Sequence, residues 1–218
     1  MENPAELIDK IAIWAIPVLF AITVHEAAHG WMASKFGDKT ALMMGRVTLN
    51  PIKHIDIIGT VIVPILFLLT SNFIFGWAKP VPVNWRNLKK PQRDGSLVAL
   101  AGPASNLLMA LFWALIAKLA ILGAQFGFEP LKLFIFMGVA GIQINLMLLL
   151  VNLIPVPPLD GSRIIEGFMS PRAAMKFDAI APYGILILLV FMFSGLFALI
   201  IGPPYYFLAN GIARLFGL

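Results

Sequence analysis

Two histidines and a glutamate stand within five consecutive positions of one apolar segment. His25, Glu26 and His29 form the pattern His-Glu-x-x-His, and helix-forming residues precede it. Positions four apart share one face of a helix, so both imidazoles can point at a single metal ion. Glu26, turned by about a hundred degrees, can reach a water molecule beside that ion. The pattern therefore predicts metal-assisted hydrolysis with a carboxylate as the base.

The apolar surroundings of these three residues strengthen that interpretation. Each ionisable side chain in a membrane helix costs several kcal/mol unless it is paired or bound to a metal, so a functional role is the default. The alternative is a pair of core histidines that bond to Glu26 and to the backbone. A functional metal site is the interpretation that the segment favours.

A catalytic zinc ion takes three protein ligands and keeps one open position. The chain has no cysteine, so every ligand must be His, Asp or Glu. Asp160 follows the fourth apolar segment, in the stretch Asn-Leu-Ile-Pro-Val-Pro-Pro-Leu-Asp-Gly. The prolines break the helix and Gly161 permits a tight turn, so Asp160 lies on irregular backbone near membrane depth, which is tolerated only in an enclosed or watery cavity. Alternatively, Asp160 starts the next helix as its N-cap.

The composition predicts the elements that must position these residues. The chain has 218 residues, of which 60% are hydrophobic and 12% charged, about half the charge of a soluble domain. We expect an all-α polytopic membrane protein with four or five membrane helices. It forms one domain over residues 1–218, with a catalytic core at about 11–161 and peripheral C-terminal helices at about 179–218. The apolar stretches that are long enough to cross lipid lie roughly at residues 11–33, 57–75, 97–122, 133–154 and 179–201.

The excess of basic residues reports membrane topology and predicts no nucleic-acid partner. The chain has 16 Lys and Arg against 11 Asp and Glu, and the basic residues lie in short loops between apolar segments. Residues 1–10 are mainly acidic where a cleaved signal peptide would be basic, so the first apolar segment is retained.

The apolar stretch at residues 57–75 is predicted to enter the membrane and return on the same side. The loops before and after it are both basic, which places both in the cytoplasm. A full crossing would also carry Asp160 to the opposite side from His25 and His29. We therefore expect a re-entrant segment, with short β-strands between the first helix and it.

Four stretches of the chain resemble the site-2 proteases, a family of intramembrane zinc metalloproteases. In order they are His25 to His29, Ala-Lys-Pro-Val at 78–81, Gly-Pro-Ala-Ser-Asn at 102–106, and Asn152 to Gly161. The resemblance implies one zinc ion held by His25, His29 and Asp160, with Glu26 as the general base. It also implies a multi-pass protein of a prokaryotic cell membrane, with its active site nearer the cytoplasmic side.

The implied activity is the cleavage of membrane proteins within or near their transmembrane segments. Many members of the family add a PDZ-like or a nucleotide-sensing domain. No such domain fits between Gly30 and Leu218, so we expect a short form. The expected partners are a transmembrane protein substrate and membrane lipid, and the sequence does not predict the oligomeric state.

Three asparagines lie in the apolar segments or at their ends. Asn106 and Asn152 could donate hydrogen bonds to the substrate carbonyl or its developing oxyanion, and are our candidate catalytic amides. They could equally tie helices together, as membrane amides commonly do. Asn145 lies seven residues before Asn152 on the same helix face, and the sequence favours a catalytic role less for it.

The remaining histidine and a Gly-Pro pair have two interpretations each. His54 could be an alternative ligand or a gate, but a loop histidine bonded to Asp56 is favoured. Gly102 and Pro103 could allow a close backbone approach, or could simply start a helix with proline in its first turn.

Two other classes of protein compete with a protease. A transporter could use His25, Glu26, His29 and Asp160 as an ion or proton relay, but transporters of this kind show paired broken segments, and the sequence has one such segment at the predicted metal site. An inactive membrane-protein binder would be expected to lack a ligand or the base, and all four residues are present.

Overall fold

The computed structural model describes residues 4–63, 78–127 and 130–218, and these residues form helices joined by loops. The α-helices in chain order are α1 (Pro4–Phe36), α2 (Thr40–Met43), α3 (Pro91–Ala124), α4 (Leu131–Asn152), α5 (Asp160–Glu166), α6 (Pro171–Asp178), α7 (Gly184–Phe193) and α8 (Leu196–Phe216). Short 3-10 turns lie at Pro51–His54, Trp85–Asn87 and Ala181–Tyr183, and a π-helical turn lies at Ile57–Ile62.

The all-α, multi-pass architecture predicted from the sequence is confirmed. Within the described ranges, five helical stretches are long and apolar enough to cross a membrane. They are Ile13–Phe36, Pro91–Ala124, Leu131–Asn152, Pro171–Phe193 and Leu196–Phe216.

Small residues bring α3 and α4 into close contact. A Cβ atom on Gly138 would lie 2.6 Å from the Cβ of Ala117, and one on Gly141 would lie 2.1 Å from Cγ of Trp113. Helices in lipid associate through such close packing, because no hydrophobic force favours one apolar surface over another. α1 packs against both helices, so the polar face of its second half lies in a three-helix interface.

The connection after α1 contains turns where we predicted short strands. Gly37 leaves the helix with a φ of 116°, and α2 follows almost at once. Asn50 and Asp56 then accept hydrogen bonds from the amides of Ile52 and Gly59, which starts two further helical turns. Side chains that bond local backbone in this way compete with strand pairing, so no strand forms in the described part of this connection.

The predicted re-entrant segment falls largely outside the described residues, which resume at residue 78. Its two flanks are described and lie side by side. The amide N–H of Lys79 donates to the carbonyl of His54 (3.0 Å). A single crossing of lipid would separate these flanks by about 30 Å. The contact therefore agrees with a segment that begins and ends at the same end of the bundle.

The C-terminal helices correct the boundary predicted at residues 179–201. The apolar stretch is divided at Gly195, which has a φ of 79°, so α7 ends at Phe193 and α8 begins at Leu196. Gly184, at the start of α7, lies directly against the carbonyl of Pro157. At the other end, Lys118 Nζ donates to the carbonyl of Gly217 (3.1 Å), just beyond α8. Large apolar side chains of both helices face outward, as lipid contact requires.

Candidate metal centre

The two histidines of the His-Glu-x-x-His pattern face the same point, as their spacing predicts. Both lie in the second half of α1, and their Nε2 atoms are 3.0 Å apart. On the opposite side of each ring, Nδ1 is bound by the protein. Nδ1 of His29 lies 2.8 Å from the carbonyl of Val98, and Nδ1 of His25 lies 2.6 Å from Oδ1 of Asn106. Both rings therefore direct Nε2 into one shared space.

Asp160 reaches that space from the far end of α4. After α4 the chain turns back against the end of that helix. A Cβ atom on Gly161 would lie 2.4 Å from the carbonyl oxygens of Leu153 and Ile154, so this position requires glycine. The N-cap of α5 is Leu159 and Asp160 is its first helical residue, so the alternative role as an N-cap is wrong. Oδ2 of Asp160 lies 3.2 Å from Nε2 of His25 and 3.3 Å from Nε2 of His29.

These three atoms have the chemistry of a cation site. Oδ2 of Asp160 is buried and has no hydrogen-bond partner, although both Nε2 atoms lie within ion-pairing distance. Two imidazole nitrogens and a carboxylate oxygen are a ligand set that zinc accepts, with a fourth position open. The residues therefore fit the ion that the sequence predicted.

Gly102 keeps the space beside these atoms open. A Cβ atom at this position would lie 2.4 Å from Nε2 of His29 and 2.5 Å from Cε1 of His25. α3 begins at Pro91, so Pro103 lies well inside the helix and the interpretation of a first-turn proline is wrong. The close backbone approach is what the structure shows.

Glu26 is bound by a segment that the sequence left without a role. The amide N–H of Val81 donates to Oε2 of Glu26 (2.6 Å). We call the non-helical residues 78–83 the strap. Nη2 of Arg46 donates to the strap carbonyls of Lys79 (2.9 Å) and Pro80 (3.3 Å), and Arg46 is itself buried. The Ala-Lys-Pro-Val stretch thus contributes a backbone donor to the predicted base.

Asp38 fixes the chain just beyond the strap. Its carboxylate accepts hydrogen bonds from the amides of Thr40 (3.1 Å) and Asn84 (2.7 Å) and from Nδ2 of Asn87 (3.0 Å). Burial acts to raise the pKa of Asp38, but these hydrogen bonds and one from the hydroxyl of Thr40 prevail and lower it. The end of α1 and the residues after the strap are therefore joined through one ionised side chain.

The three asparagines occupy different positions. Asn106 is fully buried, and its Nδ2 donates to the carbonyl of Ala21 (3.3 Å) and to Oδ1 of Asn145 (3.0 Å). Asn145 is also fully buried and donates to the carbonyl of Gly141 (2.8 Å). Asn152 is half-buried and donates to Leu148 of its own helix, so no hydrogen bond joins it to the three clustered residues. The roles at the oxyanion that the sequence suggested for Asn106 and Asn152 both stay predictions.

His54 lies apart from the metal cluster. Its side chain is buried, and Nε2 lies 3.0 Å from the carbonyl of Thr48. The predicted bond to Asp56 is wrong, because that carboxylate accepts from the amide of Gly59 at the next helical turn. Among the described residues, the cluster able to hold a metal contains His25, His29 and Asp160 without His54.

Side chains of α3 hold α5, the helix that presents Asp160. The hydroxyl of Ser96 lies within hydrogen-bond distance of the carbonyls of Arg163 (3.3 Å) and Ile164 (3.2 Å), either of which can accept its one proton. Nε2 of Gln92 donates to the carbonyl of Glu166 (2.9 Å). The last carbonyls of a helix lack partners within it, so these bonds satisfy them and join α5 to α3.

Comparison with known proteins gives relatives that share a provisional name. YwhC of Bacillus subtilis, provisionally named a zinc metalloprotease, is 42% identical over 206 residues, which cover 92% of this chain and 89% of YwhC. Rip2 of Mycolicibacterium smegmatis, named in the same way, is 28% identical over 179 residues, 81% of this chain and 64% of Rip2. MJ0611 of Methanocaldococcus jannaschii, also so named, is 29% identical over 82 residues, 38% of each chain.

No family model matches the chain, and no solved structure is significantly similar to it. The likeness to YwhC nevertheless extends over almost the whole of both proteins. It includes the region in which His25, Glu26, His29 and Asp160 lie. The chain therefore belongs to the family of YwhC, the site-2 protease-like zinc metalloproteases in their short form.

Proposed function

We propose that this protein is a zinc metalloendopeptidase that cuts membrane proteins within or near their transmembrane segments. The observation that carries the proposal is the meeting of Asp160 with His25 and His29 at distances of 3.2 and 3.3 Å. These residues come from distant parts of the chain, and the helices around them are apolar enough to cross a membrane. Ionisable residues inside a membrane destabilise a protein unless they are paired or bind a metal, so their presence here favours a functional site.

Each residue of the site has a proposed task. His25, His29 and Asp160 would hold zinc, which when bound acts as a Lewis acid toward a peptide carbonyl and makes water more acidic. Glu26 takes the proton from the attacking water and passes it to the leaving amine. Val81 already occupies Oε2 of Glu26, so we assign the proton transfer to Oε1. Asn152 would donate to the oxyanion with the second proton of its Nδ2, since the carbonyl of Leu148 accepts only one of the two.

The proposed substrate is a transmembrane segment that unwinds locally. A helix uses its carbonyls in its own hydrogen bonds, so an intact helix cannot present one for attack. Small or helix-breaking residues near the cut are therefore expected.

The site is proposed to lie nearer the cytoplasmic side of a prokaryotic cell membrane. The loops that follow α1 and precede α3 are basic, and they meet where the amide of Lys89 donates to the carbonyl of Phe36 (3.0 Å). Single cysteines at Lys39 and Lys89 should react with an impermeant thiol reagent only from the cytoplasmic face. Labelling of the two positions from opposite faces would refute this placement.

Glu26→Gln tests the proposed chemistry, with Asp160→Ala as its counterpart. Glutamine keeps the size of glutamate but cannot accept the proton, so cleavage should fall by about 100-fold or more while zinc is retained. Asp160→Ala should lose both. Zinc content is measured on purified protein, and substrates are found by comparing the membrane proteins of cells that carry native or Glu26→Gln protein. Equal cleavage by native and Glu26→Gln protein would refute the proposal.

A further inference from the structure

A pair of buried amides connects α4 to His25. Nδ2 of Asn106 lies 3.0 Å from Oδ1 of Asn145, and Oδ1 of Asn106 lies 2.6 Å from Nδ1 of His25. Both asparagines are fully buried. Buried polar groups in proteins are hydrogen-bonded in almost every case. The partners of these two amides therefore indicate what the amides do.

Backbone carbonyls fix the direction of every bond in this pair, because a carbonyl can only accept. Nδ2 of Asn145 faces the carbonyl of Gly141, so Oδ1 of Asn145 faces Asn106. The two protons on Nδ2 of Asn106 then go to Asn145 and to the carbonyl of Ala21. Oδ1 of Asn106 is left as an acceptor, and it can bond His25 only if Nδ1 carries the proton.

His29 is also held with Nδ1 protonated, but without an intervening side chain, because its Nδ1 faces the carbonyl of Val98 directly. We propose that Asn145 is a positioning residue for the metal site, which acts through Asn106 to hold His25 with Nδ1 protonated and Nε2 free to bind zinc. Asn145 does not touch the metal cluster, because Asn106 lies between it and His25. The chain thus contributes an amide from α4 to the orientation of a ligand on α1.

The inference rests on the proposed metal site and makes a separate statement about it. A histidine ligand binds a metal more tightly when its second nitrogen donates to a fixed acceptor, and loss of such a partner typically costs about 10-fold to 100-fold in affinity. Without Asn145, only the longer bond to the carbonyl of Ala21 (3.3 Å) still holds the amide of Asn106 in its native orientation, so the rotated amide, which presents Nδ2 to His25, becomes more populated. Nδ1 would then face a donor, which disfavours the proton that metal binding through Nε2 requires.

The first experiment measures zinc affinity by competition with a chelator. Leucine has the branched shape of asparagine but no hydrogen-bonding group, so Asn145→Leu and Asn106→Leu remove the amides. We expect about 100-fold weaker binding in Asn106→Leu and about 10-fold in Asn145→Leu. The double variant should bind no more weakly than Asn106→Leu, because Asn145 acts through Asn106. Gln143→Leu removes an exposed amide from the same helix and should bind like the native protein.

The second readout is the spectrum of zinc-loaded protein with ¹⁵N-labelled histidine. The chain has three histidines, so their ring N–H signals can be assigned by substitution. In native protein the Nδ1–H protons of His25 and His29 should both be protected from exchange with water. Asn145→Leu should accelerate exchange at His25 and leave His29 unchanged, because His29 is bonded to the carbonyl of Val98.

Different outcomes refute the positioning role and the metal site. If Asn145→Leu lowers the melting temperature but keeps native zinc affinity and native exchange at His25, Asn145 only ties helices together. If native protein binds no zinc, the proposed metal site fails as well. If Asn145→Leu does not fold, Asn145→Asp replaces it as the test. A buried aspartic acid stays neutral, so it keeps one hydrogen-bond donor and one acceptor. It should bind zinc within about 3-fold of native protein, and a 10-fold loss would contradict the inference.

Discussion

The two histidines proposed as metal ligands and the predicted base adjoin on α1 but are held in different ways. His25 and His29 are held by groups on α3, and α3 also holds the short helix that carries Asp160. Glu26 is held by one amide of the strap, which is non-helical. One side of the site is thus part of a helix interface, while the other depends on a loop.

This difference separates metal binding from proton transfer. Packed helices resist displacement, so the ligand side is preorganised for its ion. The strap is joined to the rest of the protein by hydrogen bonds to Arg46 and to the carbonyl of His54, and Asp38 holds the residues just beyond it. Changes on the ligand side should therefore alter zinc affinity, and changes on the strap side should alter turnover at constant zinc affinity.

The largest effect is expected from Gly102→Ala on the ligand side. The added methyl group would lie 2.4 Å from Nε2 of His29, and neither packed helix can move away freely. Zinc affinity should fall by about 100-fold, with cleavage lost in parallel. Gly202→Ala is the matched control, because a Cβ atom on that helical glycine meets nothing within 4 Å. Native zinc affinity in Gly102→Ala would show that the ligand side is less rigid than its packing implies.

A smaller effect, with the opposite pattern, is expected from Arg46→Gln. Loss of the guanidinium frees the carbonyls of Lys79 and Pro80, so the amide of Val81 no longer holds Glu26 in place. Turnover should fall by about 10-fold at unchanged zinc affinity. Lys53→Gln removes an exposed charge nearby and should leave both quantities unchanged. A loss of zinc affinity in Arg46→Gln would contradict the proposal that the strap affects turnover alone.

Asp38→Asn should give the smallest effect, and one that depends on pH. The pKa of Asp38 is lowered by its hydrogen bonds, so its stabilisation is present above the ordinary pKa of aspartate and is lost as pH falls through the lowered value. Asp38→Asn should lower the free energy of unfolding by about 1 kcal/mol near neutral pH. Thermal melts between acid and neutral pH should show a smaller acid-induced loss in Asp38→Asn than in native protein. If both proteins lose the same stability between neutral and acid pH, the ionised carboxylate of Asp38 does not stabilise the fold as proposed.

The residues that sequence reasoning located best are those whose spacing is local. His25 and His29 share a helix face because they are four apart, and the structure brings them together with Asp160, which the proline-rich turn marked. Both ends of α4 and the end of α3 lie within two residues of the predicted apolar stretches, whereas α3 starts six residues earlier than predicted, at Pro91. Local periodicity is a property of the chain that needs no tertiary information.

The residues that were missed depend on contacts between distant segments. Arg46 looked like one more loop charge, and nothing local shows that it binds the strap. Asn145 gave a signal, since it is an amide in an apolar helix, but its partner on α3 is known only from the fold. The predicted strands failed because Asn50 and Asp56 bond their own turns, which a hydrophobic pattern does not report.

The hydrogen bond from Lys118 to Gly217 shows at which end of the helix bundle the chain finishes. α3 starts beside the end of α1 and runs away from it, so Lys118 marks the end of the bundle at which α1 begins. α8 finishes at that same end. α7 starts beside Pro157, and its ten residues extend about 15 Å, half of the hydrocarbon thickness. We therefore propose that, among the five candidate spans of the described residues, Pro171–Phe193 does not cross and α1, α3, α4 and α8 make four crossings, an even number. Cysteines at Lys10 and Gly217 should then be labelled from one face, opposite to Lys89.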